Sequence, residues 1–256
     1  MPWETIAREG FQFFGKMSAS ISHEIKNALA IINESAGLLE DFSLLAEKGR
    51  AIDPQRLKLL AQSVLKQVQR ADGLVKKMNR FAHSADDATR IIDLGETLDL
   101  VVSLVQRLAA MREARVDLVM PDHPVMAVTN LFLLENMVWL CLEFFLTENH
   151  KVVKLIPETT GEGARIRLVG QFGFPGDPAR VFPSDKAKAL LEALQAELRM
   201  EPPMIICSYP LRSGFSRTSK TLAMPPMPSE IHTPASRELP HQVPYNTAHF
   251  SFDGMG

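Results

Sequence analysis

Cysteine is nearly absent from this chain, which holds two in 256 residues, Cys141 and Cys207, with no Cys-x-x-Cys or Cys/His spacing. Neither a disulfide framework nor a structural zinc site is indicated, and a reducing cytoplasm is the expected compartment. An excess of either charge is missing too: 28 Lys and Arg stand against 30 Asp and Glu, a net −2, so no basic field exists to collect nucleic acid. Long apolar runs are equally scarce. The most apolar window, 131–146, carries Glu135, Asn136 and Glu143, and it falls short of the roughly 20 residues that span a bilayer. It reads as a buried helix, and with no signal-peptide pattern at the start, no membrane insertion is expected.

What is present is a composition that can build a core, 46% apolar and 23% charged, in a length that allows one large domain or two small ones. No proline interrupts residues 4–47, and Ile21, Ile25, Ala28, Ile32, Ala36 and Leu39 recur in steps of three and four. That spacing predicts a long amphipathic helix. After a turn-like stretch ending in Asp53-Pro54, a second stripe runs through Leu57, Leu60, Val64, Val68, Ala71, Val75, Met78 and Ala82. Residues 1–86 therefore read as an antiparallel helical hairpin. Two helices cannot bury both stripes alone, so a homodimer closing a four-helix bundle is expected.

Beyond residue 86 strands and helices mix without a regular βαβ repeat. Strands are expected at 90–94, 115–120, 125–128, 151–156, 164–172, 204–209 and 219–224, and helices at 98–112, 131–146 and 184–200. The predicted fold class is thus α followed by α+β: a hairpin, then an α/β sandwich over 87–225 with helices on one face of a sheet. Residues 226–256 are rich in proline and read as a tail.

The chemistry-bearing segment is Ser18-Ala-Ser-Ile-Ser-His23-Glu24-Ile25-Lys26-Asn27-Ala28-Leu29-Ala-Ile-Ile32. On a helix, position 23 lies about 200° from both Ile21 and Ile25, so His23 points to solvent. Asn27 follows one turn later on the same face, and Glu24 is the next residue round. An imidazole near neutral pH has a free lone pair, and a carboxylate that accepts the proton of one ring nitrogen leaves the other nitrogen facing outward as a nucleophile.

This segment resembles the H-box of bacterial sensor histidine kinases, Ser-His-Glu-(Ile/Leu)-(Lys/Arg)-Asn-x-Leu-x-x-Ile, with Ala28 where that family usually has proline. The resemblance implies that His23 is a phosphoacceptor, that Glu24 sets its tautomer, that Lys26 faces the phosphoryl oxygens, and that Asn27 orients water in the reverse, phosphatase direction. It continues to about Met224, but the family's ATP-site residues do not. Leu140 and Phe144 stand where two Asn residues, the second a magnesium ligand, would be. The Asp-x-Gly-x-Gly segment lines up with Gln171-Phe-Gly173-Phe-Pro175, and no glycine occurs between Gly176 and Gly214. A kinase-like hairpin joined to a degenerate ATP-binding domain resembles the bacterial histidine phosphotransferases of phosphorelays. That implies receiver domains of response regulators as partners, no cofactor held by this chain, and magnesium brought by the receiver. A divergent ATP-dependent kinase and a non-catalytic dimeric adaptor remain the alternatives. His83, His123, His150, His232, His241 and His249 show no metal-like spacing and are expected at surfaces or turns.

Overall fold

The absence of proline between Pro2 and Pro54 lets one helix, α1, run unbroken over Pro2–Glu47 in the computed structural model. The second, α2 (Pro54–Ala82), begins where Asp53 accepts a hydrogen bond from the Gln55 amide at 2.9 Å, with Pro54 in the first turn. The two are antiparallel: Glu24 meets Arg70, and the rings of Phe13 and Phe81 lie 5.3 Å apart. Met17, Ile21 and Ala28 of α1 and Gln67, Leu74 and Phe81 of α2 are buried. On α2 the interior therefore lies beside the expected stripe. Leu57, Val68 and Val75 are exposed, and so is Leu29 of α1.

The structure describes residues 2–161, 163–171 and 181–210, all within one compact unit. The expected strand at 219–224, the proline-rich stretch 226–256, His232, His241 and His249, and the segment holding Gly173, Pro175 and Gly176 lie outside those residues.

After α2, a single 3₁₀ turn (His83–Ala85) leads into a mixed α/β part. Strands β1 (Arg90–Asp93) and β3 (Met126–Thr129) form a small antiparallel pair. The main sheet has the order β2-β4-β5-β7-β6, built from Arg115–Leu118, Val152–Thr160, Gly163–Val169, Met204–Pro210 and Glu197–Glu201. Strand β2 runs parallel to β4, and the other neighbours are antiparallel. Alternation sorts the faces: Val153, Leu155, Ile166 and Leu168 are buried, whereas Glu158 on the opposite face engages Arg165 and Arg167. Helices α3 (Leu94–Ala110), α4 (Leu131–Thr147) and α5 (Asp185–Leu194) enclose the core, α4 buried nearly all round as its composition requires. The fold is thus a helical N-terminal region followed by an α/β part with a mixed sheet.

Several element boundaries differ from expectation: β2 stops at Leu118, β4 runs on to Thr160 and β5 stops at Val169, and two further differences have a clear cause. Helix α3 starts at Leu94 because Asp93 caps the Gly95 amide at 2.8 Å. The expected helix 184–200 is two elements: α5 stops at Leu194, Gln195 turns the chain with φ 54°, and β6 follows. The change of period explains it. Leu190 and Leu194 are four apart, whereas Leu198 and Met200 alternate with charged residues as a strand does.

Candidate functional site

His23 lies midway along α1, and with Lys26 and Asn27 it is exposed to solvent, as its phase against the buried Ile21 requires. Ala28, which stands where the resembled family usually has proline, is fully buried and continues the helix without interruption. Glu24 is half-buried, turned one step round the helix toward α2, and its carboxylate accepts from the Arg70 guanidinium at 3.3 Å. Among the described residues Glu24 makes no hydrogen bond to His23, since neighbours on a helix do not face each other. The structure therefore brings His23, Lys26 and Asn27 to one open face, with Glu24 at its edge and tied across the hairpin.

Toward its N-terminus the same helix face meets the α/β part. Lys16 pairs with Glu143 of α4 at 2.6 Å and sits 4.9 Å above the Trp139 ring, while Lys186 of α5 reaches Glu9 at 2.7 Å. Gly10 lets α1 close on α4: a Cβ there would stand 3.1 Å from the Phe132 ring. A cleft of about 460 Å³ lies between these elements, with Asn136, Trp139, Leu140 and Glu143 on its α4 wall. Leu140 and Phe144 are buried, and Phe144 stacks on Phe182 at 4.9 Å, so apolar contact fills the positions compared with the kinase Asn residues. Asn136 is buried as well, its amide nitrogen without a hydrogen-bond partner among the described residues. No cluster of three or more His, Cys, Asp or Glu able to hold a metal occurs among the described residues. Nor is any described helix long and apolar enough to cross a membrane.

Three buried groups escaped the sequence. His150 is not at a surface: it is fully buried, edge-on to Phe145 at 5.0 Å, and accepts from the Gln171 amide at 3.2 Å. Burial lowers its pKa, and only glycine fits at position 170, where a Cβ would come within 2.9 Å of the Phe145 ring. Cys141 of α4 and Cys207 of β7 are free thiols whose sulfurs lie 3.9 Å apart in the core. Burial raises the Cys141 pKa, which keeps the thiol unreactive. Glu135, also fully buried, has its carboxyl pushed up to about 8 by burial, against the lowering pull of Ser84, Arg90 and Arg80. No spacing signal marks these groups, because each owes its environment to residues distant in sequence.

No protein-family model matches the chain, and no curated protein matches it. Among solved structures, the ATP-binding domain of PrrB from Mycobacterium tuberculosis is 19% identical, with 50% of this chain and 100% of that one covered at a TM-score of 0.42. The Acinetobacter baumannii histidine kinase AdeS is 12% identical, with 73% and 97% covered at a TM-score of 0.40. A blue-light activated histidine kinase of Erythrobacter litoralis is 18% identical, with 59% and 58% covered at 0.38.

Proposed function

We propose that this chain is a histidine phosphotransferase of a two-component phosphorelay, carrying a phosphoryl group between receiver-domain aspartates on His23. The observation that carries the reading is the exposed imidazole of His23 on a helical hairpin, flanked by the open side chains of Lys26 and Asn27. In the forward step a neutral ring nitrogen of His23 attacks the phosphorus of an aspartyl phosphate. The P–N bond forms as the P–O bond breaks, and the aspartate leaves as a carboxylate. The second ring nitrogen keeps its proton; for Glu24 to accept that N–H its carboxylate has to leave Arg70 and turn toward His23 when the receiver docks. Lys26 neutralises phosphoryl oxygens, and Asn27 orients water when the group is lost by hydrolysis. Magnesium comes with the receiver's acidic pocket, so this chain's contribution is alignment and charge.

The apolar contents of α4 at Leu140 and Phe144 support transfer from a receiver over transfer from ATP. The open apolar flank of the hairpin, Leu29, Leu65, Val68 and Val75, supports a homodimer, the 1–86 hairpin providing the contact. The test is transfer of label from a phosphorylated receiver. The chain should gain an acid-labile, base-stable phosphate, and His23→Gln should gain none while remaining folded. Label on the His23→Gln variant refutes the assignment.

A further inference from the structure

The first turns of α1 have no counterpart on α2. That helix ends at Ala82, and the Phe81 ring packs against Phe13 and Phe14 at 5.3 and 5.4 Å, so residues 2–12 run on past it for about three turns, beside α4. An open groove of about 700 Å³ lies there, walled by Trp3, Phe11 and Phe14 of α1 and by Phe132 and Leu133 of α4. Two of its rings are largely uncovered, Trp3 at 69% and Phe11 at 79% exposure. Of the polar residues in its wall, Glu4 and Asn130, the second is committed: it donates to the Ala88 carbonyl at 2.8 Å and accepts from the Leu133 amide at 2.9 Å. What an occupant meets is almost wholly apolar.

The helix phase ties this groove to the open flank of the hairpin. Phe11 and Leu29 are 18 residues apart, about five whole turns, so they project from the same side of α1. Gly15, Ser18, Ser22 and Ile25 join them in steps of four and three, and the whole line is free of charge. Height along the bundle limits what can reach the groove. When two hairpins pair about a two-fold axis along the bundle, the partner's α2 stops at the same level, and of the partner's two hairpin helices only α1 extends further. Area points the same way. A specific interface covers about 800 Å² on each partner. Leu29, Leu65, Val68 and Val75 are each about half covered already and supply a minor part of that, whereas each aromatic ring can bury about 150–250 Å².

We propose that the groove is the N-terminal part of a contact between two copies of this chain, Phe11 of each copy, with Trp3 beside it, seating in the groove of the other. The inference rests on the homodimer proposed above and extends it: because Phe132 and Leu133 belong to α4, the partner's α1 touches the α/β part as well as the hairpin. His23 lies about 120° round the helix from Phe11 and stays open in such a pair.

The test is sedimentation equilibrium on the full chain, comparing wild type with Phe11→Asp and Leu29→Asp. Phe11 is exposed in the protomer, so Phe11→Asp should keep its helical circular dichroism while its dimer weakens by about tenfold or more. A Phe11→Asp dimer as tight as wild type, with Leu29→Asp weakened, overturns the inference and leaves the hairpin dimer standing. A wild type that is monomeric at micromolar concentration overturns both. Should Phe11→Asp fail to fold, Trp139→Phe decides the matter, since it leaves Trp3 as the one tryptophan of the chain. Quenching of Trp3 by acrylamide should fall as concentration rises through the dimerisation range, and quenching that does not change overturns the inference.

Discussion

Arg70 holds the Glu24 carboxylate, one residue from His23, at 3.3 Å. The pair lies at the hairpin surface, where such ion pairs contribute only about 0–1 kcal/mol to stability, so its value is in holding the carboxylate in place. Glu24→Ala should slow phosphotransfer by about 10²–10⁴-fold, the range for losing a positioned proton acceptor, with little change in thermal stability; transfer at the wild-type rate would remove Glu24 from the mechanism. Glu135 gives a stability prediction of definite sign. Its folded-state pKa of about 8 lies above that of a free carboxyl, so the folded state binds the proton more tightly than the unfolded chain. The wild type should therefore lose stability relative to Glu135→Gln as pH rises from the ordinary Glu range to about 8, and the gap should stay constant above that. Chemical denaturation at a series of pH values measures it, and a gap independent of pH contradicts the account.

Among the elements, the hairpin was the most legible in sequence, because its apolar spacing is long and the Asp53-Pro54 start signal is strong. Which side of α2 faces α1 was not legible. Apolar residues flank the seam on both sides, and a polar residue, Gln67, is one of those buried, so periodicity alone chose Val68 and Val75, which are exposed. The position of His23 on an open face could be read from its phase against Ile21, whereas the hold of Arg70 on Glu24 depends on the register between two helices and could not. The ion pairs of Lys16 and Lys186 to Glu143 and Glu9 were invisible for the same reason. The end of α5 was missed because a left-handed Gln195, not a glycine, makes the turn. The two-flank arrangement also identifies informative dimer variants. Ile32 and Val64 are partly buried inside the hairpin, so charging them disturbs the monomer, but Leu29 and Val68 are open. Leu29→Asp or Val68→Asp should give a monomer by light scattering with its helical circular dichroism intact, because each would put an unpaired charge into the seam of the proposed dimer. A dimer that tolerates both places the contact elsewhere.

At the scale of the whole molecule, the proposed function divides the work between the hairpin, which bears the exposed His23, and the α/β part, whose α4 has Leu140 and Phe144 buried and offers no oxygen ligand at those two positions. Calorimetry with magnesium-ATP should accordingly give no saturable heat at millimolar nucleotide. A dissociation constant below about 100 μM, more than about 5 kcal/mol of specific contact, would favour the divergent-kinase alternative. The central claim, that His23 receives phosphate from a receiver, is tested most directly by mapping the modified atom. After incubation with a phosphorylated receiver and trypsin digestion at neutral or basic pH, the peptide Met17–Lys26 should carry one phosphoryl group, lost in acid and retained in base; His23 is the only histidine in it, beside Ser18, Ser20 and Ser22. An unmodified Met17–Lys26 from protein that has taken up label, or a phosphate on it that survives acid as a serine ester does, would contradict the account.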